Sequence, residues 1–116
     1  MKRFLLLIRE DVNLQLEATK QQFDVNIQKM MKWVEELSES GNFISGEALQ
    51  TYGNYVDGND VMSGVPYMNA KEAVSGYVLI RAENINQAGA IAQSCPEVLK
   101  GRIAIEVRPI IEMQYD

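Results

Sequence analysis

Two short stretches of this chain are apolar on both faces of an extended strand, and that limits the possible folds more than any other feature. Within residues 1–9, Phe4, Leu6 and Ile8 alternate with Leu5 and Leu7 until Arg9, Glu10 and Asp11 close the run. Residues 76–81 repeat the pattern, with Tyr77 and Leu79 on one side and Val78 and Ile80 on the other. Runs this brief are too short for buried helices, so both read as strands. A strand apolar on both sides belongs in the middle of a sheet, with something packed on each face.

The rest of the pattern supplies the layers. Over residues 19–37, Phe23, Ile27, Met30, Val34 and Leu37 recur at the period of an α-helix, one stripe flanked by Met31 and Trp33. Thr19 with Gln22 forms a capping box, and Ser40 followed by Gly41 marks the helix end. Residues 43–50 read as a weaker strand, at an edge or bulged because of Gly46. Residues 51–74 are irregular, with Asp57 and Gly58 closing a small hairpin over residues 55–61. A short helix over residues 87–94, capped by Asn84 or Asn86, turns Ala88, Ile91, Ala92 and Cys95 inward before Pro96 stops it. Residues 102–113 alternate, with Ile103, Ile105 and Val107 facing one way and Ala104, Glu106 and Arg108 the other.

The order is therefore βαββαβ with an elaborated middle connection. Right-handed crossovers make this an α+β, ferredoxin-like antiparallel sheet with both helices on one face. The two doubly apolar strands then fall in the central places. The helix-facing core is predicted to hold Phe4, Leu6, Phe23, Ile27, Met30, Val34, Leu37, Val78, Ile80 and Ile91. On the opposite face Leu5, Leu7, Tyr77 and Leu79 need a second cover, and a second copy of the chain is the simplest one.

Length, charge and residue usage exclude several function classes. The 116 residues, 47% hydrophobic and 23% charged, suit one soluble globular domain over residues 1–116. A net charge of −5, with no cluster of basic residues, argues against nucleic acid and against an anionic membrane. The single cysteine makes no internal disulfide, and no metal-binding spacing accompanies it. Cys95 reads as a small buried hydrophobe. Lys2 and Arg3 before five apolar residues are too little for a signal peptide, so the cytoplasm is the expected location. With no histidine in the chain, imidazole-activated nucleophiles and imidazole metal ligands are excluded, leaving carboxylates, Tyr, Lys, Arg and the lone thiol for any chemistry. No glycine pattern supports a dinucleotide or a phosphate loop, and no cofactor is expected.

Residues 1–9, 64–72 (GVPYMNAKE), 74–81 (VSGYVLIR) and 102–113 (RIAIEVRPIIEM) together resemble the YCII-related (YciI-like) family, whose DGPF branch has this layout. In that branch the middle segment reads approximately Asp-Gly-Pro-Phe-Ala-Glu-x-Lys-Glu. Aligning Lys71 and Glu72 with its last two letters puts Gly64, Val65, Pro66 and Tyr67 under DGPF, so Pro66 and the aromatic persist while the Asp and its Gly do not. The acid/base pair suspected elsewhere in the family is a His and an Asp, and this chain has no His. The family is similar to the wider dimeric α/β-barrel group, in which small molecules bind in clefts around the interface of facing sheets. The resemblance thus implies a homodimer that binds a small ligand near residues 64–72, without the family's suspected His/Asp chemistry.

The candidate ligand-binding residues follow. Tyr67 and Lys71 suit an anionic or carbonyl-bearing ligand, with Glu72 orienting Lys71, while Glu47, beside Gly46, is a candidate base if buried. Arg108, with Glu106, falls toward the dimer side or its rim; an ordinary ion pair is the competing account of these two. Lys71 and Glu72 as helix-start charges, and Met30, Met31 and Trp33 as core packing, are likewise the plainer accounts. Catalytic residues are not identified, and no metal site is. Two alternatives to the ligand-binding dimer stand: a small acid/base enzyme, acting as isomerase, lyase or hydrolase through Tyr, Lys and Glu, or a protein–protein regulatory module linked to transcription, as relatives of the DGPF branch are linked with alternative sigma factors.

Overall fold

Strand β1 (Lys2–Asp11) is central because both of its edges pair, antiparallel to β5 (Glu72–Ala82) on one side and to β6 (Ile103–Pro109) on the other. The computed structural model describes residues 1–11, 19–50, 52–64 and 72–113. With β2 (Phe43–Ala48) on the outer edge of β5, the sheet order is β2-β5-β1-β6. Both doubly apolar runs thus occupy the central positions. A hairpin of β3 (Gly53–Val56) and β4 (Val61–Gly64) forms a separate two-stranded sheet inside the long connection. Its turn is held by Asp57, whose Oδ1 accepts the N–H groups of Asn59 and Asp60 at 2.8 and 2.9 Å. Those bonds hold the Asp57 carboxyl below its ordinary range.

Helix α1 (Lys20–Glu39) begins at the capping box: Thr19 Oγ1 accepts the Gln22 N–H, and Gln22 Oε1 accepts the Thr19 N–H, both at 3.1 Å. Asn84 caps α2 (Ile85–Gln93) through its Oδ1. Pro96 ends α2 as expected but also opens a single further turn, α3 (Pro96–Leu99), which the sequence pattern misses because proline is favoured at the first position of a helix. Strand β5 begins at Glu72, inside the stretch expected to be irregular, so Glu72 opens a strand and not a helix.

The core lies between helices and sheet. Phe4, Leu6, Trp33, Leu37, Val78, Ile80, Ala88, Ala92 and Cys95 are buried there, with Met30, Val34 and Ile91 packed against them. The buried Trp33 indole is satisfied by a 3.0 Å bond from Nε1 to Ser94 Oγ, as a polar tip in a core requires. Two core expectations are corrected. Phe23 is 54% and Ile27 40% exposed, and Met31 also lies open. The stripe is continuous in sequence, but only its residues from Met30 to Leu37 pack against the core cluster.

Register assigns the faces. Leu5, Leu7, Tyr77 and Leu79 lie opposite the helices and are only half-buried. Among the described residues, no element packs on that face.

Candidate functional site

The groove begins with three small residues. In register across β2, β5 and β1, Ala48 pairs with Gly76 and Gly76 with Ile8, while Gly46 pairs with Val78. Neither glycine has room for a side chain: a Cβ at Gly46 would stand 2.8 Å from the Tyr77 carbonyl oxygen, and one at Gly76 would stand 2.9 Å from that of Glu47. The close approach of β2 to β5 therefore demands glycine, and glycine leaves the helix-side floor low.

Over that floor runs α1 from Phe23 to Val34. Phe23, Ile27, Met30, Met31 and Val34 form the roof, and Phe43, Leu49, Val78 and Ile103 complete an apolar cavity of about 620 Å³. Its volume is that of ordinary small-molecule sites, and a mostly apolar lining with few polar groups is their usual character.

Asn26 and Glu35 of α1 and Glu47 and Ser75 of the sheet also line the cavity, and three charged groups meet at its β6 end. Glu10, one alternation beyond Ile8, shares the helix-side face with Ile103, and Arg102 and Glu97 stand beside it. Arg102 Nη2 is 3.9 Å from Glu10 Oε1, and Arg102 Nε is 2.7 Å from Glu97 Oε2. The second contact is an ion pair by distance only. The Arg102 Nε–H is not directed at the oxygen, and both Glu97 carboxylate oxygens and Arg102 Nε are left without a hydrogen bond. Glu97 is 3% exposed. Burial holds the Glu10 carboxyl above its ordinary range; Arg102 opposes that rise and the Glu97 charge adds to it.

Cys95 sits behind this end, fully buried, with Sγ 3.4 Å from Met30 Sδ. Burial raises its thiol further, which keeps it protonated and makes it a packing group. Among the described residues, no group of three or more Asp, Glu, Cys or His is placed to hold a metal ion.

The residues proposed from sequence scatter around this geometry. Glu47 borders the groove but pairs with Tyr77, on the bare side of the sheet. Arg108 lies on the same bare side at the far edge, pairing in register with Leu5 and held to Glu106 at 3.0 Å, with Arg9 on Glu106 at 3.4 Å. Glu72 opens β5. Tyr67 and Lys71 lie outside the described residues. Glu47 and Arg108 are thus on opposite edges of the sheet and do not meet.

Sequence reasoning missed Glu10, Arg102 and Glu97. For Glu10 a signal existed: Phe4, Leu6, Ile8 and Glu10 share one parity, so its carboxyl continues the core-facing row. Glu97 carried none, since an acid just after Pro96 reads as an ordinary helix-start charge.

Among solved structures, the chain is similar to 5-chloro-2-hydroxyhydroquinone dehydrochlorinase from Burkholderia phenoliruptrix AC1100, in complex with 2,5-dihydroxybenzoquinone. The match has a TM-score of 0.55 at 19% identity and covers 98% of this chain and 95% of that one, a likeness of fold. No curated protein matches the sequence. No helix among the described residues is long and apolar enough to cross a membrane. A family model for the YCII-related domain matches residues 3–114, nearly the whole chain, and the protein belongs to that family.

Proposed function

We propose that this protein binds a small, mainly apolar ring compound in the groove between α1 and the sheet. The observation that carries this reading is the groove itself, about 620 Å³ roofed by Phe23 and Ile27 and floored by Gly46, Ala48 and Gly76. Exposed aromatic and aliphatic side chains around a concavity mark a binding site more often than a solvent surface. The quinone ligand of the similar dehydrochlorinase supports a ring of that size class. Trp33, the only tryptophan, lies on the roof helix and provides the readout. Saturable change in its fluorescence is expected with 2,5-dihydroxybenzoquinone or with anilinonaphthalene sulfonate, and Ile27→Glu should abolish it while leaving the fold intact. Failure of both probes to saturate, or binding untouched by Ile27→Glu, rules the groove out.

A small acid/base enzyme is the second reading, favoured by Glu10 at the groove's end, whose carboxyl burial holds above its ordinary range and which stands 3.9 Å from Arg102.

The working unit in this reading is a two-fold dimer. Leu5, Leu7, Tyr77 and Leu79 on the uncovered face support it, since each contributes roughly 1.5–3 kcal/mol when fully buried, and a self-complementary pairing buries all four on both copies. Light scattering should return twice the chain mass, and Leu7→Glu should return one. A parent protein that is monomeric at micromolar concentration removes the dimer.

A further inference from the structure

We propose that the groove selects its ring compound by a hydroxyl at the ring's edge, which accepts a hydrogen bond from Arg102 Nη2 and donates one to Glu10 Oε1. The inference rests on the ligand-binding reading above and names the polar half of its ligand. Arg102 Nη2 and Glu10 Oε1 stand 3.9 Å apart, too far for a direct hydrogen bond and close enough for a single oxygen to reach both. Both residues line the cavity. Among the described residues, neither the Glu10 carboxylate nor the Arg102 guanidinium has a hydrogen bond within the protein. The sealed atoms at this end are the two Glu97 carboxylate oxygens and Arg102 Nε, whereas the Glu10 oxygens and both Arg102 Nη atoms remain accessible. An unmet donor and an unmet acceptor thus border one gap.

Glu97 is the positioning residue. Closed off from the cavity, it sets its Oε2 2.7 Å from Arg102 Nε, and its carbonyl oxygen accepts the Arg102 backbone N–H at 3.0 Å. The guanidinium is anchored at its inner nitrogen, and the outer ones are left for the ligand. Charge then decides which group fits. A carboxylate meets four glutamates among the lining residues, Glu10, Glu35, Glu47 and Glu97, against Arg102 alone. An ammonium group reaching Glu10 sits against the Arg102 cation, and a carbonyl that accepts from Arg102 turns lone pairs on Glu10. A hydroxyl, donor and acceptor at once, satisfies both.

Benzyl alcohol, benzaldehyde, benzylamine and ethylbenzene place a hydroxyl, a carbonyl oxygen, an ammonium group or a methyl at the same position of one skeleton, and titration calorimetry ranks them. The parent protein should bind benzyl alcohol tightest, about tenfold over ethylbenzene, the advantage of a hydrogen bond to a charged group. Glu10→Leu should bring benzyl alcohol down to the level of benzaldehyde, and Arg102→Leu should let benzylamine overtake it. Ethylbenzene should bind all three proteins alike. Another probe ranking first in the parent, equal affinity for all four, or an advantage of alcohol over aldehyde that survives Glu10→Leu overturns the bridging role and leaves the groove standing. If none of the four binds, the groove reading fails and this inference with it. Should Arg102→Leu not fold, the parent's ranking and Glu10→Leu decide.

Discussion

The two halves of helix α1 carry the same apolar stripe and meet opposite fates. In the C-terminal half, Trp33 and Leu37 are buried in one cluster with Phe4, Ile80, Ala88 and Ala92. In the N-terminal half, Phe23 and Ile27 stand open above Gly46, Ala48 and Gly76. Helix periodicity therefore tells which face turns toward the sheet, and the size of the residues on the sheet tells whether that face finds a partner. Where both are large the result is core, and where one is glycine the result is a cavity. The cavity comes from the small residues on the strands, beneath a helix stripe that continues unbroken.

The sharpest way to break that contrast is to truncate one large side chain in each half. Trp33→Ala should cost about 3–5 kcal/mol, since it empties a packed volume and removes the bond its indole donates to Ser94 Oγ. Phe23→Ala should stay within about 0.5 kcal/mol, as at a surface position. Urea denaturation midpoints measure both. A loss at Phe23 approaching that at Trp33 would mean the N-terminal half is packed after all, and the groove closed in solution.

A second test works from the floor. Gly76→Ala places a Cβ 2.9 Å from the Glu47 carbonyl oxygen and 3.6 Å from Ile8 Cδ1, so β2 must move off β5. The expected cost is about 1–3 kcal/mol, that of overpacking. Gly89→Ala in α2, where nothing lies within 4 Å of the added carbon, should instead stabilise by about 0.5–1 kcal/mol through helix propensity. If the two glycines respond alike, the floor is not held low by strand contact.

Those small residues also explain what the sequence disclosed and what it hid. The central placement of β1 and β5 was legible because apolarity on both faces admits one position in a sheet. The capping box at Thr19 and the hairpin at Asp57 were legible because both rest on contacts three residues apart or fewer. The groove was not, because it depends on Ile27 facing Gly46 and Gly76, residues brought together only by the crossover. Its polar end depends on Glu10, Glu97 and Arg102, drawn from opposite ends of the chain. Periodicity places Phe23 and Ile27 in the core, and the structure leaves both exposed because the strands across from them carry Gly46, Ala48 and Gly76.

The smallest expected effect sharpens the comparison at the boundary of the groove, through pH. Glu10 holds its proton in the folded state to a higher pH than in the unfolded chain, because burial disfavours its charge more than Arg102 favours it. Between those two values the folded state carries the extra proton, so stability falls as pH rises, from full below the ordinary carboxylate value to lost above the raised one. Asp57 and Glu112, both held low by their hydrogen bonds, act in the opposite sense and at lower pH: their contribution is present above the ordinary value and lost on acidification. Glu10→Gln cannot titrate, so the difference in denaturation midpoint between parent and variant isolates this one carboxyl. That difference should shift toward the variant as pH rises from the ordinary carboxylate range toward neutrality. A pH-independent difference would place Glu10 in solvent, which would open the groove at that end and leave Glu97 and Arg102 as its only polar wall there.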